Sequence, residues 1–270
     1  MKKSVKIILI ALCYIFLCVF MFSGYKIFTI MREYKEAETM YSDLSNQFVS
    51  TQATPAPTKK PDTSADPQTT EQPVEPTPDP NVSPISVDFD KLLETNGDVK
   101  GWLLNPDTII NYPFVQGADN DYYLYRFLDG SSNSSGTLFV DYRCAGDFSS
   151  NHTIIYGHNM KDGSMLSTIT NYWKQDYYEE HPYMFINTPT QNYRLELFSG
   201  YVTPADSDAY TVFFKDSAAY AKFLETLDSR SNFNSDVELT ENDRIVTLST
   251  CTYEYEAARY VLHGKLVPIT

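Results

Sequence analysis

Apolar and polar positions divide the chain into four zones. Ile7 to Tyr25 is an apolar run without a charged side chain, preceded by Lys2, Lys3 and Lys6. At about 1.5 Å per residue, a helix of that length crosses most of a ~30 Å hydrocarbon core. Basic residues ahead of it and the bulk of the chain behind it give a cytoplasmic N-terminus and an external C-terminal part. The run is long for a cleaved signal peptide, and Met21-Phe-Ser-Gly24 offers no small-x-small cleavage site. The pattern therefore predicts a basic tail at 1–6 and a transmembrane signal-anchor at 7–25. Residues 26–50 space apolar positions among mixed charges, without Pro or Gly, and predict a helical juxtamembrane stalk. Residues 51–84 hold nine of the fifteen prolines among Thr, Gln, Asp and Glu. Such a segment cannot bury a core and is expected to be an extended or disordered linker. In polyproline II form it reaches on the order of 100 Å, which suits a spacer lifting a domain off a membrane.

Residues 85–270 carry the patterns of a folded unit. Strand-like runs fall at Thr108–Val115, Thr137–Asp141, Thr153–Tyr156, Tyr183–Asn187, Tyr193–Thr203 (with a break expected at Gly200), Ile245–Thr250 and Arg259–Val267. Helical runs are fewer. One spans Asp88 to Asn96 and stops at Gly97, and a second follows a Ser164 cap to about Trp173. A third follows Asp216 or Ser217, with Tyr220, Phe223, Leu224 and Leu227 on one face. Many short strands with a few helices point to a mainly β protein, a closed or nearly closed barrel.

Charge sharpens this picture. The net charge is −14, and beyond residue 50 the chain holds 15 basic and 31 acidic residues. Nucleic-acid binding requires clustered cations and is excluded as an expectation. Cys13 and Cys18 lie in the apolar run and read as small hydrophobes, which leaves Cys144 and Cys251 in the outer part. Two thiols do not make a disulfide framework, although a Cys144–Cys251 bridge is one open pairing.

Candidate chemistry gathers around Cys251. The run Ile245–Thr250 delivers it to a strand end, a polar loop follows, and Arg259 opens the next strand-like run. In an antiparallel hairpin, Cys251 and Arg259 face each other at the loop mouth. A thiol beside a fixed cation or an imidazole is suited to covalent acyl chemistry. His158 ends Thr153-Ile-Ile-Tyr-Gly-His158-Asn159, sharing a face with Ile154 and Tyr156 by alternation, and Gly157 permits close approach of another segment. A histidine there can exchange protons with a reacting group. Arg259 can hold an oxyanion or a peptide carbonyl, or instead pair with Glu254 or Glu256. His152, His181 and His263 read as structural, with His181 expected at the surface. There is no HExxH, CxxC, EF-hand loop, Gly-rich phosphate loop or GxSxG elbow, so no metal or cofactor is expected.

Leu248-Ser-Thr-Cys251, Tyr156-Gly-His158-Asn159 and Arg259 together resemble the class B sortases. Gln116-Gly-Ala-Asp-Asn120-Asp-Tyr-Tyr-Leu124 and Gly136-Thr-Leu-Phe-Val-Asp-Tyr-Arg143 add to the likeness, which covers about residues 85–268. The resemblance implies an eight-stranded sortase barrel and a membrane-anchored cysteine transpeptidase of Gram-positive bacteria. Cys251 would attack a sorting motif of a secreted surface protein and form a thioacyl intermediate. A peptidoglycan amine would then resolve it. By position, His158 would protonate the leaving amine and deprotonate the incoming one, while Arg259 would steady the oxyanion or the substrate backbone. The helix near 216–229 would match the class B insert, and Asn120, Leu124, Ser249 and Tyr210 would line the peptide groove. A pilin-polymerising sortase, which uses a protein lysine as acceptor, and a non-catalytic stalked binding module are the rival readings.

Overall fold

The computed structural model describes residues 3–52, 79–252 and 254–269. Its first element, α1 (Lys3–Phe48), is one continuous helix. The predicted membrane span and stalk are therefore not separate pieces. Gly24 alone does not divide them, since one helical glycine costs only about 1 kcal/mol. The apolar half of α1 is exposed. Its other half lies on the folded unit, burying Ala37, Tyr41, Leu44 and Phe48.

Two short strands follow, β1 (Val49–Thr51) and β2 (Ile85–Val87), and they pair antiparallel. The Gln52 N–H donates to the Pro84 carbonyl at 2.9 Å, so the chain leaves and returns at one place. The two ends of the expected 51–84 linker are therefore adjacent, and the second half of α1 rests on the folded unit. Residues 53–78, most of the expected linker, lie outside the described residues.

Eight strands make the body: β3 (Val99–Leu104), β4 (Asn111–Val115), β5 (Leu138–Val140), β6 (His152–Tyr156), β7 (Tyr183–Asn187), β8 (Asn192–Pro204), β9 (Ile245–Cys251) and β10 (Ala258–Ile269). They close into a barrel in the order β10-β8-β7-β3-β4-β5-β6-β9. Helices α2 (Phe89–Thr95), α3 (Gln175–Glu180) and α4 (Ser217–Ser229) lie outside it. Asp88 caps α2 and Asp216 caps α4, each accepting a backbone N–H of the first turn.

Several elements depart from the pattern reading. β3 carries no clean alternation because Trp102, Leu103 and Leu104 are all buried, one face in the barrel and the other under neighbouring segments. Residues 108–110 form a turn instead of a strand start, held by Thr108 donating to the Asn105 carbonyl at 2.9 Å. Gly200 does not interrupt β8. The irregularity lies two residues earlier, where Phe198 is bulged opposite His263/Gly264. The run after Ser164 is a 3-10 helix over Ser167–Trp173.

Two cores result from the alternation along β9 and β10. Val246, Leu248, Tyr260 and Leu262 join the large cluster of the barrel. Ile245 and Val261, on the opposite face, join Phe198 and Tyr201 beneath Tyr220, Phe223, Leu224 and Leu227 of α4. That face of the barrel wall is covered by α4 at one end and left open at the other, where Cys251 and Arg259 emerge.

Candidate active site

β6 and β9 run parallel with Tyr156 opposite Ser249. β9 and β10 run antiparallel with Cys251 opposite Arg259. The next strand, β8, places Thr203 opposite Arg259. Beyond Tyr156 the β6 chain stays bound to β9. Gly157 N–H donates to the Ser249 carbonyl at 3.1 Å. Thr250 Oγ1 donates to the Gly157 carbonyl at 2.7 Å, and Asn159 Nδ2 donates to the Cys251 carbonyl at 2.9 Å. These bonds carry His158 to the level of Cys251, on the face shared with Tyr156 and Ser249. Gly157 is needed at this crossing, because a Cβ there would meet the side chains of Leu138 and Leu166. His158, two residues past the end of β6, thus comes level with Cys251 of β9 and Arg259 of β10.

Cys251 is half-buried and free, and Cys144 is buried and free, so the two are not bridged. Cys144 Sγ donates to the His152 carbonyl at 3.5 Å. Burial pushes its thiol up to about 11, which leaves it inert as a nucleophile. Arg259 has no carboxylate partner among the described residues. Its Nη1 donates to the Ala258 carbonyl at 3.1 Å, and the rest of the guanidinium fork is uncommitted to an ion pair.

His158 is oriented by its backbone surroundings. Its Nε2 lies 2.7 Å from the Leu124 carbonyl, which can only accept, so Nε2 carries the proton and the lone pair of the neutral ring resides on Nδ1. The Tyr125 ring packs against it at 5.4 Å between centroids. Burial lowers the tendency of His158 to protonate, and the positive charge of Arg259 acts in the same direction. The Leu124 bond opposes both, and the net shift is downward from 6.5.

The predicted groove residues fall in different settings. Ser249 is buried, its hydroxyl 2.9 Å from Tyr210 Oη. Tyr210 stacks on Tyr156. Leu124 takes part through its carbonyl. Asn120 Oδ1 accepts the Tyr142 N–H at 3.1 Å and ties its loop to the segment after β5. A cleft of about 500 Å3 lies beside Tyr156 and Tyr210, edged by Arg143 and Phe213. A larger one, about 800 Å3, lies along Tyr201 and Thr203 on the far side of Arg259.

Sequence reasoning passed over the support beneath Tyr156 and Tyr210. Asp141 is fully buried and accepts Arg143 Nε and Nη2 at 2.9 and 2.7 Å, together with Tyr156 Oη at 2.9 Å. Burial alone would raise its carboxyl pKa, but these donors outweigh it and hold it below 3.8. Arg143 also reaches the Tyr210 carbonyl at 3.4 Å. The only signal was an Asp-Tyr-Arg triplet at a strand end, common enough on a surface to carry no weight alone.

His152 and His263 are structural, as their positions suggested, and they form a buried chain. His152 Nδ1 donates to the Thr211 carbonyl at 2.7 Å, so its Nε2 accepts the Thr247 hydroxyl at 2.6 Å. Thr247 Oγ1 in turn accepts from His263 Nδ1 at 2.7 Å. This leaves His263 Nε2 a buried lone pair without a partner among the described residues. His181 is half-buried rather than at the surface, its ring 4.6 Å from that of Tyr177.

Burial depresses His152 to about 4 and holds His263 well below 6.5. A depressed histidine contributes stability that is complete above the unfolded value of ~6.5 and is lost as pH falls toward the folded one. His152 alone corresponds to about 3 kcal/mol at full loss. The urea midpoint is expected to drop steeply between pH 7 and pH 4.5, and a flat midpoint across that range would contradict neutral burial of both rings.

A sequence model of the sortase domain matches residues 106–267. Sortase B of Listeria monocytogenes is 34% identical over 260 residues, covering 95% of this chain and 96% of the relative. Among solved structures, sortase B of Bacillus anthracis in complex with AAEK1 superposes with a TM-score of 0.70 at 30% identity, over 88% of this chain and 100% of that one. A Staphylococcus aureus sortase B–substrate complex gives 0.64 at 33% identity, over 67% and 85%. Barrel order, sequence and superposition agree, and this chain belongs to the sortase family as a class B sortase, a cysteine transpeptidase.

Proposed function

We propose that Cys251 is the nucleophile, His158 the proton-transfer residue and Arg259 the electrostatic stabiliser of a membrane-anchored sortase that joins surface proteins to the cell wall. The observation that carries this reading is the register: Cys251 lies opposite Arg259, with His158 brought level by the bonds beyond Tyr156. Cys251 passes its thiol proton to the lone pair on His158 Nδ1 and its sulfur adds to the scissile carbonyl of a sorting peptide, while the developing oxyanion or the neighbouring peptide carbonyl meets the Arg259 fork. The C–N bond breaks as His158 passes a proton from Nδ1 to the leaving amine. An incoming amine gives a proton to Nδ1 and bonds to the acyl carbon, and the C–S bond breaks.

Tyr210, Ser249, Leu124 and Asn120 shape the peptide groove in this reading. Tyr210 and Ser249 fix its wall through their shared hydrogen bond, and Leu124 acts through His158. The acceptor is a peptidoglycan amine. A domain with strong net negative charge attracts cationic amines and repels nucleic acid. The apolar half of α1 serves as the membrane anchor, with residues 1–6 cytoplasmic and 85–270 facing the wall.

The test is a peptide-library cleavage assay on the full chain in detergent micelles, with mass spectrometry of the ligated product. Cleavage within one preferred motif, with transfer to a peptidoglycan stem or cross-bridge amine, is expected. Transfer only to a protein lysine would make it a pilin-polymerising enzyme, and absence of any thioacyl adduct would leave a stalked binding module.

A further inference from the structure

The docking of α1 reaches the back of the catalytic level. Tyr41, buried on α1, donates its hydroxyl to the Gly136 carbonyl and also lies 3.5 Å from Thr137 Oγ1. Gly136 has φ +57° and lies directly on the Leu124 backbone; a Cβ there would meet the Leu124 carbonyl carbon at 2.8 Å. The next residue, Thr137, donates its N–H to the Tyr123 carbonyl at 3.0 Å. The Leu124 carbonyl is the acceptor that holds His158 Nε2.

A second contact path runs from the same tyrosine. The Tyr41 ring meets Tyr112 edge-on at 5.0 Å, and Tyr112 Oη accepts the Met165 N–H at 3.2 Å. Met165 bridges to Asn159, and the Leu166 N–H donates to the His158 carbonyl at 3.0 Å. Both sides of His158 are thus braced by segments that α1 touches. One further bond from α1 reaches the same turn, Asn133 Nδ2 donating to the Glu33 carbonyl at 3.2 Å, whereas the bond from Asn111 Nδ2 to Ser45 Oγ at 3.2 Å leads away from it.

We propose that Tyr41 of α1 is a positioning residue for catalysis: its bond to the Gly136 carbonyl fixes Gly136 in place beside the Leu124 carbonyl and so sets the orientation of the His158 ring. This rests on His158 being the proton-transfer residue. The helix is then part of the active-site scaffold and not only a tether. The arrangement makes the catalytic histidine dependent on how α1 sits against the barrel.

The experiment uses the full chain in detergent micelles and compares Tyr41→Phe, which removes only the hydroxyl, with Ser45→Ala, which removes a helix–barrel bond that does not lead to Leu124. Imidazole NMR titration follows His158, assigned by its loss in His158→Gln. The groups beside His158 are Arg259, Tyr125 and, across the ladder, Cys251, and neither variant alters them. In Tyr41→Phe the His158 titration midpoint is expected to move down, because the bond that favours its protonated form is loosened. The kcat for peptide cleavage should fall about tenfold with KM unchanged. Ser45→Ala should leave both readouts at wild-type values. Gly136→Ala, which forces the Leu124 carbonyl away, should reproduce the Tyr41→Phe signature more strongly. The proposal is overturned if Tyr41→Phe leaves the His158 titration unchanged, or if Ser45→Ala changes it equally. Full activity in His158→Gln, with the Tyr41→Phe titration shift present, would uphold the bracing and remove the catalytic role of His158 instead.

Discussion

Cys251→Ala is expected to reduce both cleavage of a sorting peptide and its ligation to an amine to background, a loss of roughly 10³-fold or more. The sulfur is the only atom in the proposed mechanism that bonds covalently to the acyl group, so no neighbour can take over its part. Thr250 and Thr252 flank it, and a hydroxyl at either position has no imidazole–guanidinium pair aimed at it by the register. Cys144 cannot substitute either, since it is buried on the segment after β5 and bonded to the His152 carbonyl. The half-buried strand end should tolerate the change, and thermal unfolding should stay within ordinary surface-mutation limits, about 0.5 kcal/mol. Peptide turnover by HPLC and trapping of the thioacyl enzyme by mass spectrometry are the measurements. Turnover retained at even a tenth of the wild-type rate would refute the assignment.

Arg259→Lys should lower kcat/KM by roughly 10²-fold although the charge is kept. An ammonium is a single point of donors on a flexible stem. It cannot present the planar fork to an oxyanion and a neighbouring carbonyl together. The loss is expected to lie in function and not in folding, because Arg259 makes no ion pair among the described residues and its own bond is to the adjacent Ala258 carbonyl. The rival reading, a surface arginine paired with Glu254 or Glu256, predicts the reverse: near-normal turnover in Lys and a small stability change. Steady-state kinetics beside a melting curve separate the two.

The register that sets Cys251 opposite Arg259 was legible because it depends on local rules. Ile245–Cys251 and Ala258–Ile269 are β-branched and aromatic runs joined by a short loop, and antiparallel pairing then puts Cys251 opposite Arg259. His158 required more. Alternation gave its face, but that β6 lies beside β9, and parallel to it, is a long-range pairing of segments some ninety residues apart. The likeness of Leu248-Ser-Thr-Cys251, Tyr156-Gly-His158-Asn159 and Arg259 to the class B sortases supplied what pattern reasoning could not.

The supporting groups were hidden for a different reason. Asp141, Arg143 and Tyr156 lie on two segments, and nothing in either shows that a carboxylate from one is buried against a phenol from the other. Gly136 and Tyr41 are ninety-five positions apart. The six-residue strand β3 escaped because Lys100 and Gly101 interrupt its pattern. Gly101 is demanded by the Phe114 ring and the Asn187 carbonyl, neither of which the local sequence contains.

By itself the sequence determined the apolar N-terminal helix, the acidic β-rich domain, the capped α4 with its apolar stripe, and the level shared by Cys251 and Arg259. Each follows from periodicity, capping or pairing between neighbours in the chain. Tertiary structure alone decided that the spacer's ends meet, that α1 lies on the barrel instead of standing clear of it, and that one carbonyl orients His158. Those outcomes depend on which buried surfaces fit one another, and a linear pattern records that a residue is apolar without recording what it will be packed against.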